Sequence, residues 1–245
     1  MVKLLLKKQL SEIFRSYFYD AKKNKPRSKA STVSLIVLYV LLMVGVIGGM
    51  FTLFSIGLCA PLHEAGLDWL YFTLFALVGV LMGVFGSVFN TFSGLYLSRD
   101  NDLLLSMPIP VHSIMASRLL TVFLMGLMYS GVVSIPAAIV YLATAEFSVS
   151  ALLGAVLFVT LIAVFVLVLS CLLGYGVARL SLKLKNKSFM TVIFALLFIA
   201  IYYFAYFKAG SFIGEIVANI ALYGEDLHAA APLVFGIGRA FEGDL

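Results

Sequence analysis

Residues able to do covalent or metal chemistry are few in this chain and widely dispersed. The three histidines, His63, His112 and His228, fall outside the long apolar runs. A zinc hydrolase needs His and carboxylate ligands converging on one ion, and neither C-x-x-C nor H-E-x-x-H spacing occurs. Ser93-Gly94 has the form of a nucleophile turn, but acyl transfer needs a base beside the serine. No histidine lies within an apolar run to supply one. No glycine-rich phosphate loop of the P-loop type is present either. Cys59 and Cys171 are expected at opposite ends of their spans, too far apart to bridge, and read as small apolar fillers. No catalytic residue, cofactor or metal ligand is therefore assigned to the chain.

The most distinctive polar stretch runs from Tyr96 to Pro110. Arg99, Asp100 and Asp102 are followed at once by Leu103, Leu104 and Leu105, and Arg118 follows a little later. Pro108 and Pro110 end any helix that starts there. The pattern predicts a short amphipathic helix with exposed leucines. Apolar side chains beside charges suit docking into a partner's groove. The plainer reading is a loop whose leucines dip into a membrane interface.

The elements that must hold this stretch are apolar. The chain has 245 residues, 62% hydrophobic and 12% charged, against about 45–50% and about 25% in a soluble domain. Five runs reach the roughly 20 apolar residues needed to cross a bilayer, at 33–58, 69–97, 119–144, 151–178 and 189–207. In hydrocarbon such runs must be helices, since only a helix satisfies its own backbone. The ten-residue alternation of a membrane barrel is missing. The fold class is all-α: a polytopic transmembrane helical bundle.

Basic residues orient it. The N-terminal segment and the second and fourth connections hold 15 of the 17 Lys and Arg. The other two connections hold only Glu64, Asp68 and Glu146 as charges. The positive-inside rule puts the N-terminus in the cytoplasm, and five spans then leave the C-terminal tail outside, in a cell-membrane protein. The net charge of +5 sits beside the spans, so lipid headgroups account for it and no nucleic-acid partner is expected.

Residues 1–31 precede the spans. Val2, Leu6, Leu10, Ile13, Phe14 and Tyr17 recur at helical spacing, with Lys3, Lys7, Lys8, Ser11, Arg15 and Lys22 opposite. This amphipathic helix is expected to lie in the membrane interface, and Pro26 separates it from the first span. Packing against a protein partner is the alternative. The spans fill 32–208. Residues 209–245 form a less apolar tail, too short in apolar length to cross again. The odd number of spans and the abrupt end predict a truncated chain.

Ionisable residues inside spans usually mark function, and all five runs lack them. Their polar residues are of the kind of Ser87, Asn90, Thr91, Ser130, Ser134, Thr160 and Ser170. Proton-coupled carriers are disfavoured on that ground. Gly79, Gly83 and Gly86, and likewise Gly45 and Gly49, follow the small-residue spacing that lets helices approach closely. Pro136 is a candidate kink.

The run Ser98-Arg99-Asp100-x-Asp102-Leu103-Leu104-x-x-Met107-Pro108-Ile109-Pro110, with Arg118 opening the next span, resembles ABC-2-type ABC transporter permeases. The 2–19 helix is similar to the family's interfacial elbow helix. The resemblance implies a permease subunit, acting in export as the family's default direction, with no ATPase activity of its own. It implies that ATP is bound and hydrolysed on a separate nucleotide-binding subunit. It further implies a second permease half or a homodimer. Arg99, Asp100, Asp102, Leu103, Leu104 and Pro108 would form the coupling contact, with Arg118 bracing it. Such permeases usually have six spans or multiples of six, and this chain shows five, so either a sixth span has been cut off or the tail folds outside and ends there. A non-transporting assembly or immunity protein, or a membrane enzyme, is the competing reading.

Overall fold

The computed structural model describes residues 2–20, 25–96, 104, 106, 108–144, 148–183, 196, 200, 203 and 204. Two short helices lead, α1 (Val2–Ile13) and α2 (Arg15–Phe18). Two-residue strands β1 (Tyr19–Asp20) and β2 (Lys25–Pro26) then pair antiparallel and turn the chain. Four long helices follow: α3 (Lys29–Glu64), α4 (Asp68–Tyr96), α5 (Val111–Thr144) and α6 (Val149–Lys183). Each is long and apolar enough to cross a membrane. The fold is an all-α helical membrane bundle.

Helices α3, α5 and α6 extend past the apolar runs that announce them. Hydropathy locates the part that lies in hydrocarbon, whereas caps and prolines set the ends. Ser28 caps α3, its hydroxyl accepting from the Ser31 amide at 3.3 Å. Pro110 opens α5, where the Ser113 amide donates to the Pro110 carbonyl at 2.9 Å. That helix therefore begins eight residues before the expected 119. Of the expected fifth span, Leu196, Ala200, Tyr203 and Phe204 are described, each helical and exposed. The remainder of that run and the 209–245 tail lie outside the described residues.

Helices α4, α5 and α6 pack around Val166, which is fully buried. A Cβ on Gly83 of α4 would sit 2.6 Å from one Val166 methyl, and one on Gly126 of α5 would sit 2.9 Å from the other. The two glycines thus form a socket for this β-branched side chain. Gly86 likewise admits the ring of Tyr129. Toward one end, Phe72 meets Tyr141 and Phe158 edge-on, at centroid distances of 4.6 and 5.1 Å. Toward the other, the buried hydroxyls of Ser87 and Ser170 join α4 to α6, and the Tyr96 hydroxyl donates to the Cys171 carbonyl at 2.9 Å.

The first span is held differently. Gly48, not Gly45 or Gly49, is its close-approach residue: a Cβ there would meet Val132 of α5, while Gly49 faces open space. The Val132 carbonyl loses its usual helical donor to Pro136, and α5 still runs unbroken to Thr144. Ser55 donates to the Tyr71 hydroxyl, which donates to the Ala137 carbonyl at 2.8 Å, so one polar chain ties α3, α4 and α5. Elsewhere α3 exposes large apolar residues such as Val37, Leu41, Val44 and Leu53. Its backbone bonding widens to i→i+5 over Leu41–Gly48.

The socket yields a test. Gly83→Ala raises helix propensity by about 1 kcal/mol, but its methyl meets both Val166 and Ser130, neither of which has a flexible end to yield. Overpacking of about 1–3 kcal/mol is expected to win. The melting temperature in detergent should fall, and Val166→Ala in the same chain should recover part of the loss. A Gly83→Ala protein as stable as the parent would show that the socket does not hold the bundle.

Candidate functional site

Polar side chains reach between helices at both ends of the bundle, and the end bearing α1 has the more open arrangement. Helix α1 lies against the start of α5. The α5 residues buried there are Ser113, Ile114, Ser117, Arg118, Thr121 and Val122, while Met115, Leu119 and Leu120 point outward. Small polar side chains inside and large apolar ones outside suit a helix whose far side meets lipid. Gln9 answers them from α1: its Oε1 accepts from the Thr121 hydroxyl at 2.7 Å, and its Nε2 donates to Ser117 Oγ at 3.4 Å.

An apolar contact sits beside this one. Leu5 of α1, Leu104 from between α4 and α5, and Ile114 of α5 form a small buried cluster, with Ile109 packed on it. Leu104 is only 5% exposed. The exposed leucine expected at this position is therefore turned inward, onto the chain's own N-terminal helix. Burying it against Leu5 and Ile114 removes from water the surface that a partner's groove would have covered.

Next to the cluster opens a cavity of about 570 Å³. Lys8, Gln9 and Glu12 of α1, Asn90 and Ser93 near the end of α4, and Arg118 and Thr121 of α5 supply its polar lining. Arg118 is only 6% exposed. Its guanidinium is part of the polar lining at this end of the bundle. Lys8 and Glu12, a helical turn apart on α1, come within 3.6 Å of each other and stay largely exposed.

Of the residues singled out by sequence, Leu104 and Arg118 come together around this cavity, and Pro108 is exposed nearby in chain order. Arg99, Asp100, Asp102 and Leu103 lie outside the described residues. Gln9, Ser117 and Thr121 were not anticipated. The signal for them was the repeat Ser113-x-x-x-Ser117-x-x-x-Thr121, whose four-residue spacing puts three hydroxyls on one face of a helix. Ser93 donates to the Asn90 carbonyl at 3.3 Å, and the described residues that line the cavity include no histidine.

At the opposite end, His63 Nδ1 lies 2.8 Å from Asp68 Oδ2, across the turn that joins α3 to α4. Gly66 makes that turn with φ +67, a conformation suited to glycine. The Tyr141 hydroxyl donates to the same carboxylate at 3.3 Å. His63 and Asp68 thus clamp the hairpin and attach it to α5. Among the described residues, no group of three His, Cys, Asp or Glu is placed to hold a metal. Comparison with protein-family models, curated proteins and solved structures finds no match.

The docking of α1 is testable by amide exchange. Gln9→Ala removes the acceptor for Thr121 and the donor to Ser117, at a cost of about 1 kcal/mol. Exchange across residues 2–13 should rise several-fold, with α4 and α6 unchanged. Equal protection in both proteins would mean that α1 is held by Leu5 alone.

Proposed function

We propose that the chain is the transmembrane permease subunit of an ATP-binding cassette transporter of the ABC-2 type, acting in export. The supporting observation is how the 98–110 loop is rooted. Leu104 is packed between Leu5 of α1 and Ile114 of α5, and Arg118 stands one helical turn beyond Ile114. A force applied to the loop's charged residues, Arg99, Asp100 and Asp102, would reach α5 through that packed leucine rather than dissipate in a free loop. Leu104 then acts as the root of the coupling element, and the contact surface falls to its neighbours in sequence, including Leu103 and Pro108.

In this reading the basic end of the bundle faces the cytoplasm of a cell-membrane protein, as the distribution of Lys and Arg favours. A separate ATPase subunit binds and hydrolyses ATP there. A second permease half, or a second copy, completes the pathway between spans. No step of the chemistry falls on this chain. The spans offer hydroxyls but no acid or base in their interiors, so energy must enter from a partner rather than from a proton relay.

The test removes the loop's surface and keeps its root. Tagged chain purified from its native membranes should carry an ATP-binding cassette ATPase with it. Asp100→Ala with Asp102→Ala should reduce that recovery at least tenfold, while the melting temperature stays within a few degrees. Undiminished recovery in the double variant, or no such ATPase with the parent chain, would sink the proposal.

A further inference from the structure

Helix α1 borders open volume in front and behind. Leu5, Lys8, Gln9, Glu12 and Ile13 form its front and face the cavity of about 570 Å³. Lys7, Leu10 and Ser11 form its back and border a groove of about 530 Å³, with Ile36 and Tyr39 of α3 on the far wall. At 3.6 residues per turn, Leu10 and Glu12 lie about 160° apart around the helix, so the two spaces lie on nearly opposite sides. A helix in a protein interior has close-packed neighbours instead. Among the described residues, the long helix that α1 packs on is α5.

The contacts that seat α1 come before its last turn. Leu5 is buried with Leu104 and Ile114, and Gln9 bonds Ser117 and Thr121. Beyond Gln9 the seat loosens. The Glu12 side chain is 54% exposed, and Ile13 is only partly buried. Helical geometry then breaks at Phe14, with φ −88 and ψ 12, in the sparsely populated bridge region. A joint at that residue lets α1 tilt without carrying α2 and the β1–β2 hairpin. Across the cavity from the loose end, α4 presents Asn90, Ser93 and Gly94. Ser93 and Gly94 are exposed, and a Cβ on Gly94 would meet no atom within 4 Å.

We propose that α1 is a lid over this cavity. It pivots on Leu5 and Gln9, with Phe14 as its joint. In the position seen, the cavity stands open. In the closed position, the last turn tilts forward and rests Glu12 and Ile13 on α4 at Asn90 and Ser93. Closure exchanges water around the Glu12 carboxylate for the Asn90 amide and the Ser93 hydroxyl. It also brings Ile13 toward Val122 and Met125, which line the cavity, and removes apolar surface from water. The groove behind widens by the same movement. The open lid admits water or a small solute to the floor at Thr121, and the closed lid excludes both. The lid depends only on how α1, α4 and α5 pack, so it stands or falls apart from the transport reading.

Cysteine cross-linking of the full chain in lipid nanodiscs tests it. Cys59→Ala with Cys171→Ala removes the native thiols. Glu12→Cys with Ser93→Cys then places one thiol on the lid and one on α4. A disulfide needs their Cα atoms within about 7 Å. Oxidation with copper phenanthroline should link at least half of the chains. Val122→Trp, which fills the cavity from its floor, should slow that linkage at least fivefold. Glu12→Cys with Met115→Cys, whose second site faces outward on α5, should link less than a fifth as much. No disulfide between positions 12 and 93 overturns the lid. A rate untouched by Val122→Trp means that the two sites are neighbours without any movement, and overturns it too. Equal linkage to positions 93 and 115 means that α1 leaves the bundle altogether, which also overturns it. If either member of the first pair prevents folding, Ile13→Cys with Gly94→Cys takes its place, and Met125→Trp replaces Val122→Trp, with the same outcomes.

Discussion

In hydrocarbon a backbone amide has no water to bond with, and leaving it unpaired costs several kcal/mol. The apolar stretches of this chain are helical for that reason. The same surroundings also remove the hydrophobic force that would press one helix against another, because lipid tails are as apolar as leucine. Association has to come from close packing and from polar contacts. The Val166 socket provides the first: Gly83 and Gly126 let one branched side chain enter the angle between α4 and α5. The second comes from hydroxyls. Thr91, Ser134 and Thr144 each donate to a carbonyl four residues back on their own helix, while Ser87 with Ser170 and Ser55 with Tyr71 reach across helices.

Attachment is uneven as a result. Helices α4, α5 and α6 share an aromatic layer, a glycine socket and a serine pair, and they form the dense part of the bundle. Helix α3 is anchored in the core at its C-terminal end by Cys59 and Leu62, and before that it is fixed at Gly48, at Ser55 and through the Tyr39 hydroxyl, which lies 3.7 Å from the sulfur of Met128. Between these points it presents apolar surface outward. Its N-terminal half, held at few points, moves relative to the packed core at lower cost than any member of that core. The stretch of widened helix at Leu41–Gly48 falls between two of those points.

The N-terminal helix acts as a wedge. One face reaches Ser117 and Thr121 through Gln9, and the other borders the groove beside α3. By covering Leu104 it also links the loop after α4 to the start of α5. Three otherwise separate parts of the basic end therefore meet on twelve residues. The amphipathic pattern in the sequence was read as a single apolar face. It is two, and the residues that distinguish them, Leu5 and Gln9, were assigned to neither side.

What the sequence determined by itself was the class of fold and the location of the spans, because apolar length is a local property and the membrane imposes helix on it. Four of the five expected runs are seen as spanning helices among the described residues. The small-residue spacing in α4 was legible too, but its counterpart in α3 was misread: Gly45 and Gly49 share the spacing, while Gly48 makes the contact. Spacing states which residues share a face and leaves open which face meets a neighbour. The same gap explains Leu104. Beside charges and prolines it has the pattern of an exposed docking residue, and only the approach of Leu5 from about a hundred positions earlier buries it. Tertiary structure decided these points because burial depends on residues distant in the chain, and a local pattern carries no information about which of them will arrive.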